Sequence, residues 1–200
     1  MPTPEEITKH HEPAPDHDPW VNGPPRPAPI VVVDPDARWP QQFDLIAQRI
    51  RAALGEAALA IEHVGSTSVP RLPAKPTIDV DLTVADPADE RAYVPALSSA
   101  GFTLVVREPD WHEHRLLTLA EPNSNVHVFG PDCPEVIRHR MFRRWLIDHP
   151  EELDLYRRAK LAAAAEISAR GGTVMDYNRH KEPAIRAIYD RMFRASGLIR

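Results

Sequence analysis

The sequence predicts an α/β protein of the α+β kind: a small mixed β-sheet with helices packed on it and a helical C-terminal part. Three observations carry this. Residues 77–84, TIDVDLTV, alternate polar and apolar with a period of two, the mark of a half-buried strand. Around them the patterned segments run helix, two strands, helix, three strands, which suits one small mixed sheet. From Pro134 onward, apolar residues recur at helical spacing almost to the end of the chain.

Taken in order, residues 1–29 hold nine of the 22 prolines and read as an extended or disordered tail. His10, His11 and His17 lie among acids there, and solvation is the simpler reading than a metal site. An ordered tail would instead lie over the domain or reach a second copy in a homodimer, with Trp20 as anchor. The domain itself spans residues 30–200. Ile30 to Val33 is a β-branched run, an edge strand or a strap. Trp39, Phe43, Ile46, Ile50 and Leu54 recur at helical spacing up to Gly55. Leu59 to Val64 is a strand ending at Gly65-Ser66. Asp86-Pro87 opens a helix running to about Ala100, with Pro95 awkward inside it. Phe102 to Val106 is a strand, and Arg115–Leu119 with Val126–Phe129 forms a hairpin. Helices follow from Pro134 to His149, from Glu151 to Arg170, and from a cap at Asp176 onward.

Composition narrows the function. Two hundred residues suffice for one domain with a real core. A net charge of −5 gives no electrostatic reason for a nucleic-acid partner. The single Cys133 excludes an intramolecular disulfide and a cysteine-based zinc site. No apolar run approaches a membrane span, and the first thirty residues lack the order of a secretory signal, so a cytoplasmic protein is expected.

The chemistry concentrates between Ile61 and Val84. Alternation puts Ile78, Val80, Leu82 and Val84 on one face and Asp79, Asp81 and Thr83 on the other. Neighbouring carboxylates repel unless a cation lies between them, and oxygen ligands suit a hard ion such as Mg²⁺ or Mn²⁺. At the Gly65-Ser66 turn the backbone can approach a phosphate, with Ser66, Thr67 and Ser68 as donors. The competing reading of the two aspartates is a solvated polar strand face.

Joined by SVP and AKP, the string HVGSTSVPRLPAKPTIDV from His63 to Val80 resembles the GrpB-like family of the nucleotidyltransferase superfamily with the polymerase-β-like fold. VVVDPDARWPQQF resembles that family's openings as well. The resemblance covers roughly Ile30 to Arg194. It implies a domain that binds a nucleoside triphosphate through Mg²⁺ and transfers a nucleotidyl group to a small-molecule acceptor. Asp79 and Asp81 would hold the metal, and the Gly65-Ser66 turn the outer phosphates. His127, in NVHVF, would replace a third carboxylate as metal ligand or accept a proton; a hydrogen-bonded structural histidine is the alternative. Lys75, held between prolines, would neutralise a phosphate or is a surface lysine. Tyr156 with Lys160, and Tyr177 with Lys181, stack four apart on their helices and resemble family pairs that could meet a base and phosphates. Exposed helix decoration is the better reading of either pair taken alone. Arg71 stands where the family shows glycine, and Glu113 is a spare candidate acid. A second implied function is a non-catalytic module binding a nucleotide or a coenzyme A precursor, since such domains occur fused to dephospho-CoA kinase.

Overall fold

The computed structural model describes residues 1–12, 18–24 and 27–200. Its elements are α1 (Pro4–Thr8), α2 (Trp39–Leu54), β1 (Ala60–Val64), β2 (Ile78–Thr83), α3 (Val94–Ser99), β3 (Thr103–Glu108), β4 (His114–Leu119), β5 (Ser124–Phe129), α4 (Pro134–Asp148), α5 (Pro150–Ala169) and α6 (Val174–Ala195). The five strands form one mixed sheet in the order β1-β2-β5-β4-β3. β2 runs parallel to β5, and every other neighbouring pair is antiparallel. The α+β reading of the sequence is thus the observed architecture.

The period of two sorts β2 cleanly. Ile78, Val80 and Leu82 are buried with Val126, Val128, Leu117 and Leu119, under Trp39, Ile46 and Ile50 of α2 and Leu97 of α3. On the opposite face Asp81 lies beside His127 and Asp79 beside Asn125 across the parallel pair. Helix α4 covers part of that face, where Arg140 pairs with Glu62 and His139 with Asp81. Helices α5 and α6 pack on α4 and on each other, so the C-terminal part roofs the polar face.

Three local expectations change, and a fourth is decided between its two readings. The stretch after Asp86 is turn and a single 3-10 turn at Glu90–Ala92, and the helix begins only at Val94. Pro95 therefore occupies the first turn, where its missing N–H costs nothing. Helix α6 is capped by Thr173, with Asp176 as the reciprocal acid three residues on. Ile30–Val33 is a strap: Val33 bridges to Ala74, while Ile30 is buried against Ala163, Ile167 and Tyr177.

The tail is the largest departure. Thr3 and Glu6 form a reciprocal capping box around Pro4, and α1 results where extended chain was expected. Five residues are too few for a helix on its own. Tertiary contact holds it: Ile7 is buried among Tyr189, Met192 and Phe193, and Arg138 donates to the carbonyls of Ile7 and Lys9. His10 sits beside Asp190 and His11 stacks on Trp111, so these two are docked rather than solvated. His17 lies outside the described residues.

Candidate functional site

Between the polar face of the sheet and the helical roof is a cavity of about 440 Å³. Its floor carries Gly65, Ser66, Asp79, Asn125 and His127; its roof carries Arg143, Tyr156, Lys160, Tyr177 and Lys181, with Lys75 entering from the loop before β2. The helix pairs Tyr156–Lys160 and Tyr177–Lys181 are therefore not surface decoration. Lys160 is 2 % exposed and Tyr177 1 %.

The lysines are the site's strongest chemical statement. Lys160 lies over the Tyr156 ring, and Lys75 and Lys181 both lie over the Tyr177 ring. None of the three is ion-paired among the described residues. Burial, then the neighbouring ammoniums Lys181 and Lys75, hold Lys160 well below the usual lysine range, against an opposing pull from Asp79. Burial and Lys181 lower Lys75 in the same way. Three lysine amines kept together without an ion-pair partner among the described residues form a place where a bound anion would favour their charge. The chain has four lysines against twenty arginines, so three of its four lysines face one cavity. Lysine scarcity was the sequence signal that could have singled them out.

The Gly65 turn is built around Asp79. Gly65 has φ +66°, and a Cβ there would stand 2.8 Å from the Asp79 Cβ and closer still to its carboxylate, so glycine is required on both counts. Ser66 lines the cavity, whereas Thr67 and Ser68 do not. The Thr67 hydroxyl bonds to His63 Nε2 and the Thr77 carbonyl, and Ser68 donates to the Gly65 carbonyl at 2.7 Å. Those two hydroxyls are engaged in holding the turn together. Arg143, donating to the Ser68 carbonyl, adds a fourth cation at the cavity edge.

The two aspartates differ. Asp79 lines the cavity and accepts from Asn125 Nδ2 at 2.9 Å through Oδ1. Asp81 is 1 % exposed and lies below the cavity lining. Its Oδ2 accepts from His139 Nδ1 at 2.8 Å, while its Oδ1 is buried with no partner. Burial opposes charge on His139, but the Asp81 carboxylate and its hydrogen bond, with Glu135 and Asp79, outweigh it and raise His139 to about 9. An imidazolium thus supplies the counter-charge that the sequence pattern assigned to a metal ion. Among the described residues, no three His, Cys, Asp or Glu side chains stand together as a ready metal site.

His127 ends a chain of three groups, whose other two members, Glu108 and His114, sequence reasoning did not connect to it. Glu108 Oε2 lies 2.7 Å from His114 Nδ1, and His114 Nε2 lies 3.1 Å from His127 Nδ1. A carboxylate only accepts, so His114 carries its proton on Nδ1. Which ring nitrogen donates between His114 and His127 depends on the tautomers of the two rings. Burial, followed by His114, pushes His127 down to about 4, so its ring is neutral near pH 7. Glu113, the spare acid, is half-buried and turned to Arg115 instead. Arg71 does not line the cavity; it adopts φ +66°, the glycine-type backbone, in its exposed turn.

No described helix is long and apolar enough to cross a membrane. The profile of the GrpB protein family matches residues 29–191. A UPF0157 protein of Halalkalibacterium halodurans is 49% identical over 136 residues, covering 68% of this chain and 70% of its own. Another, from Streptomyces coelicolor, is 37% identical, covering 86% of this chain and 88% of its own. A Mycolicibacterium paratuberculosis protein named dephospho-CoA kinase is 31% identical over 82% of this chain, which spans only 46% of that protein. The crystal structure of GrpB from Enterococcus faecalis superposes with a TM-score of 0.71 at 26% identity, covering 83% of this chain and 99% of that one. The chain belongs to the GrpB family, a member of the nucleotidyltransferase-like superfamily.

Proposed function

We propose that the cavity binds a nucleoside triphosphate with a divalent cation and transfers the nucleotidyl group to a small-molecule acceptor. The observation that carries this reading is the convergence of Lys75, Lys160 and Lys181 on one cavity with Asp79 and the Gly65-Ser66 turn. The ammoniums would hold the β- and γ-phosphates, with the Gly65-Ser66 backbone close behind them.

The residues that would hold a cation are Asp79, Asp81 and His127, which do not stand together as a formed metal site. Asp81 Oδ1 is buried and unpartnered, Asp79 has one oxygen left by Asn125, and His127 lines the cavity. Two carboxylates and an imidazole suit Mn²⁺ better than Mg²⁺, because imidazole is the softer donor. When bound, such an ion would supply charge neutralisation to the phosphates. An acceptor oxygen or nitrogen attacks the α-phosphorus, the bond to the α,β-bridging oxygen breaks, and pyrophosphate leaves against the lysines. His127, with so little affinity for a proton, would serve the ion as a ligand rather than act as a base, and the acceptor's proton passes to solvent. Catalysis is then positioning and charge stabilisation.

The test is pyrophosphate release from each of the four NTPs with Mn²⁺ and a panel of hydroxyl and amine acceptors. Release by the wild type and its loss in Asp79→Asn is the expected result; no release with any pairing removes transfer. A second reading, nucleotide or coenzyme A precursor binding without turnover, is favoured by one feature: His139 already balances Asp81. The relatives named dephospho-CoA kinase, half of whose length this chain matches, lend it a ligand class. Nucleotide binding without pyrophosphate release is its signature.

A further inference from the structure

We propose that the nucleobase of the bound nucleotide lies against Trp20, so that the N-terminal strap decides which ring the site accepts. This rests on the nucleotide reading above and adds to it the other end of the ligand. Residues Pro19–Val21 extend the sheet beyond its β3 edge. Val21 N–H donates to the Val105 carbonyl at 3.0 Å, Arg107 N–H donates to the Pro19 carbonyl at 2.9 Å, and Trp20 stands directly opposite Val106. Pairing of this kind imposes strand alternation on the strap. Val21 packs with the apolar core under the sheet, and Trp20 faces the cavity.

Register carries the inference further. Trp20 is opposite Val106, Val106 opposite Leu116, Leu116 opposite His127, and His127 opposite Asp81. Residues directly opposite share a face, so these five side chains make one row across the sheet. Three strand spacings separate Trp20 from His127, about 14 Å. Along that row the chemistry changes once. At the Asp81–His127 end lie Asp79 and the lysines; then come two apolar floor residues, Leu116 and Val106; then the Trp20 indole, with Trp111 also on the wall. A cavity that is cationic at one end, and floored by aliphatic side chains up to an aromatic wall at the other, complements a ligand with a polyanionic end and a flat ring. Trp20 precedes residue 29, where the family match begins. The ring wall is thus a contribution of this chain's own N-terminal segment.

Two probes separate the ends of the ligand: ATP, which has a base, and inorganic tripolyphosphate, which has none. Calorimetry with Mn²⁺ on the full chain is expected to show Trp20→Ala weakening ATP about tenfold while leaving tripolyphosphate unchanged. Trp20→Phe should stay within a few-fold of wild type for both probes, and Lys181→Met should weaken both. Where a lowered melting temperature shows that Trp20→Ala has loosened the strap, Trp20→Leu, which keeps apolar bulk without a flat ring, makes the same comparison. If the tryptophan variants weaken neither probe, or both equally, the strap has no part in ring binding and the inference is overturned while the nucleotide reading stands. If wild type binds neither probe, both fall together.

Discussion

On one face of the sheet Ile78, Val80, Leu82, Val126 and Val128 are closed over by α2 and α3, and every one of these side chains is hydrophobic. On the other face Asp79, Asp81, Asn125 and His127 occupy the alternate positions of the same two strands. The first face gains its free energy by leaving water, about 25 cal/mol per Å² of apolar surface. The second gathers a buried aspartate with an orphan oxygen, a histidine held neutral and three uncompensated lysines, each unfavourable alone. The core stabilises what the cavity destabilises, and such a division is expected where one face of a sheet is reserved for a charged ligand.

The largest effect should come from the apolar face. Leu82→Ala removes a fully buried side chain beneath the site, and about 2–5 kcal/mol of stability should be lost in chemical denaturation. Tripolyphosphate affinity of the molecules that remain folded should not change; a proportionate loss of affinity would mean the two faces are not separable.

The next effect is set by pH. His139 titrates near 9 in the folded protein against 6.5 for a free histidine, so its contribution is full below about pH 6.5 and is lost as pH rises through 9. That contribution is on the order of 2–3 kcal/mol. His63, under burial and then Arg143, and His127 are both lowered to about 4, and their effect has the opposite sense. Their stability is present above pH 6.5 and lost as pH falls toward 4. Urea denaturation should therefore trace a dome, and His139→Gln should flatten its alkaline limb alone. An unchanged alkaline limb in that variant would remove the imidazolium from Asp81.

Lysine 160 sharpens the contrast from the other side. Lys160→Met replaces an unpaired buried cation with an apolar side chain of similar length, and should raise stability by about 1–2 kcal/mol while weakening tripolyphosphate about tenfold or more. A variant both less stable and unaltered in binding would make Lys160 a structural residue. The smallest effect belongs to Arg71. Returning glycine to its positive-φ turn relieves backbone strain, and Arg71→Gly should stabilise by about 0.5–1 kcal/mol without touching the cavity.

Most of the fold was legible because its signals are local. Strand β2 declared itself by strict alternation, α2 by Trp39, Ile46 and Ile50 at helical spacing, and the β4–β5 hairpin by two apolar runs across a Pro-Asn turn. The tail was misread because its proline content outweighed Thr3-Pro4-Glu5-Glu6, a helix start written in four residues. The site was half legible. Gly65 and Asp79 belong to one short segment, so spacing alone revealed them. His139, Asn125, Glu108, His114 and Trp20 come from other elements, and only pairing register brings them to Asp81, Asp79 and His127. Thr67 and Ser68 show why such a reading stops short: hydroxyls beside a glycine turn can serve a ligand or the turn, and here both bond within the turn.

The most direct test of the cavity's role is calorimetric titration of ATP into wild type and Asp79→Asn, each with and without Mn²⁺. Tightening by Mn²⁺ in the wild type, and its disappearance in Asp79→Asn while metal-free binding on the lysines persists, is the predicted result. Equal metal dependence in both proteins, or no binding in either, would contradict it.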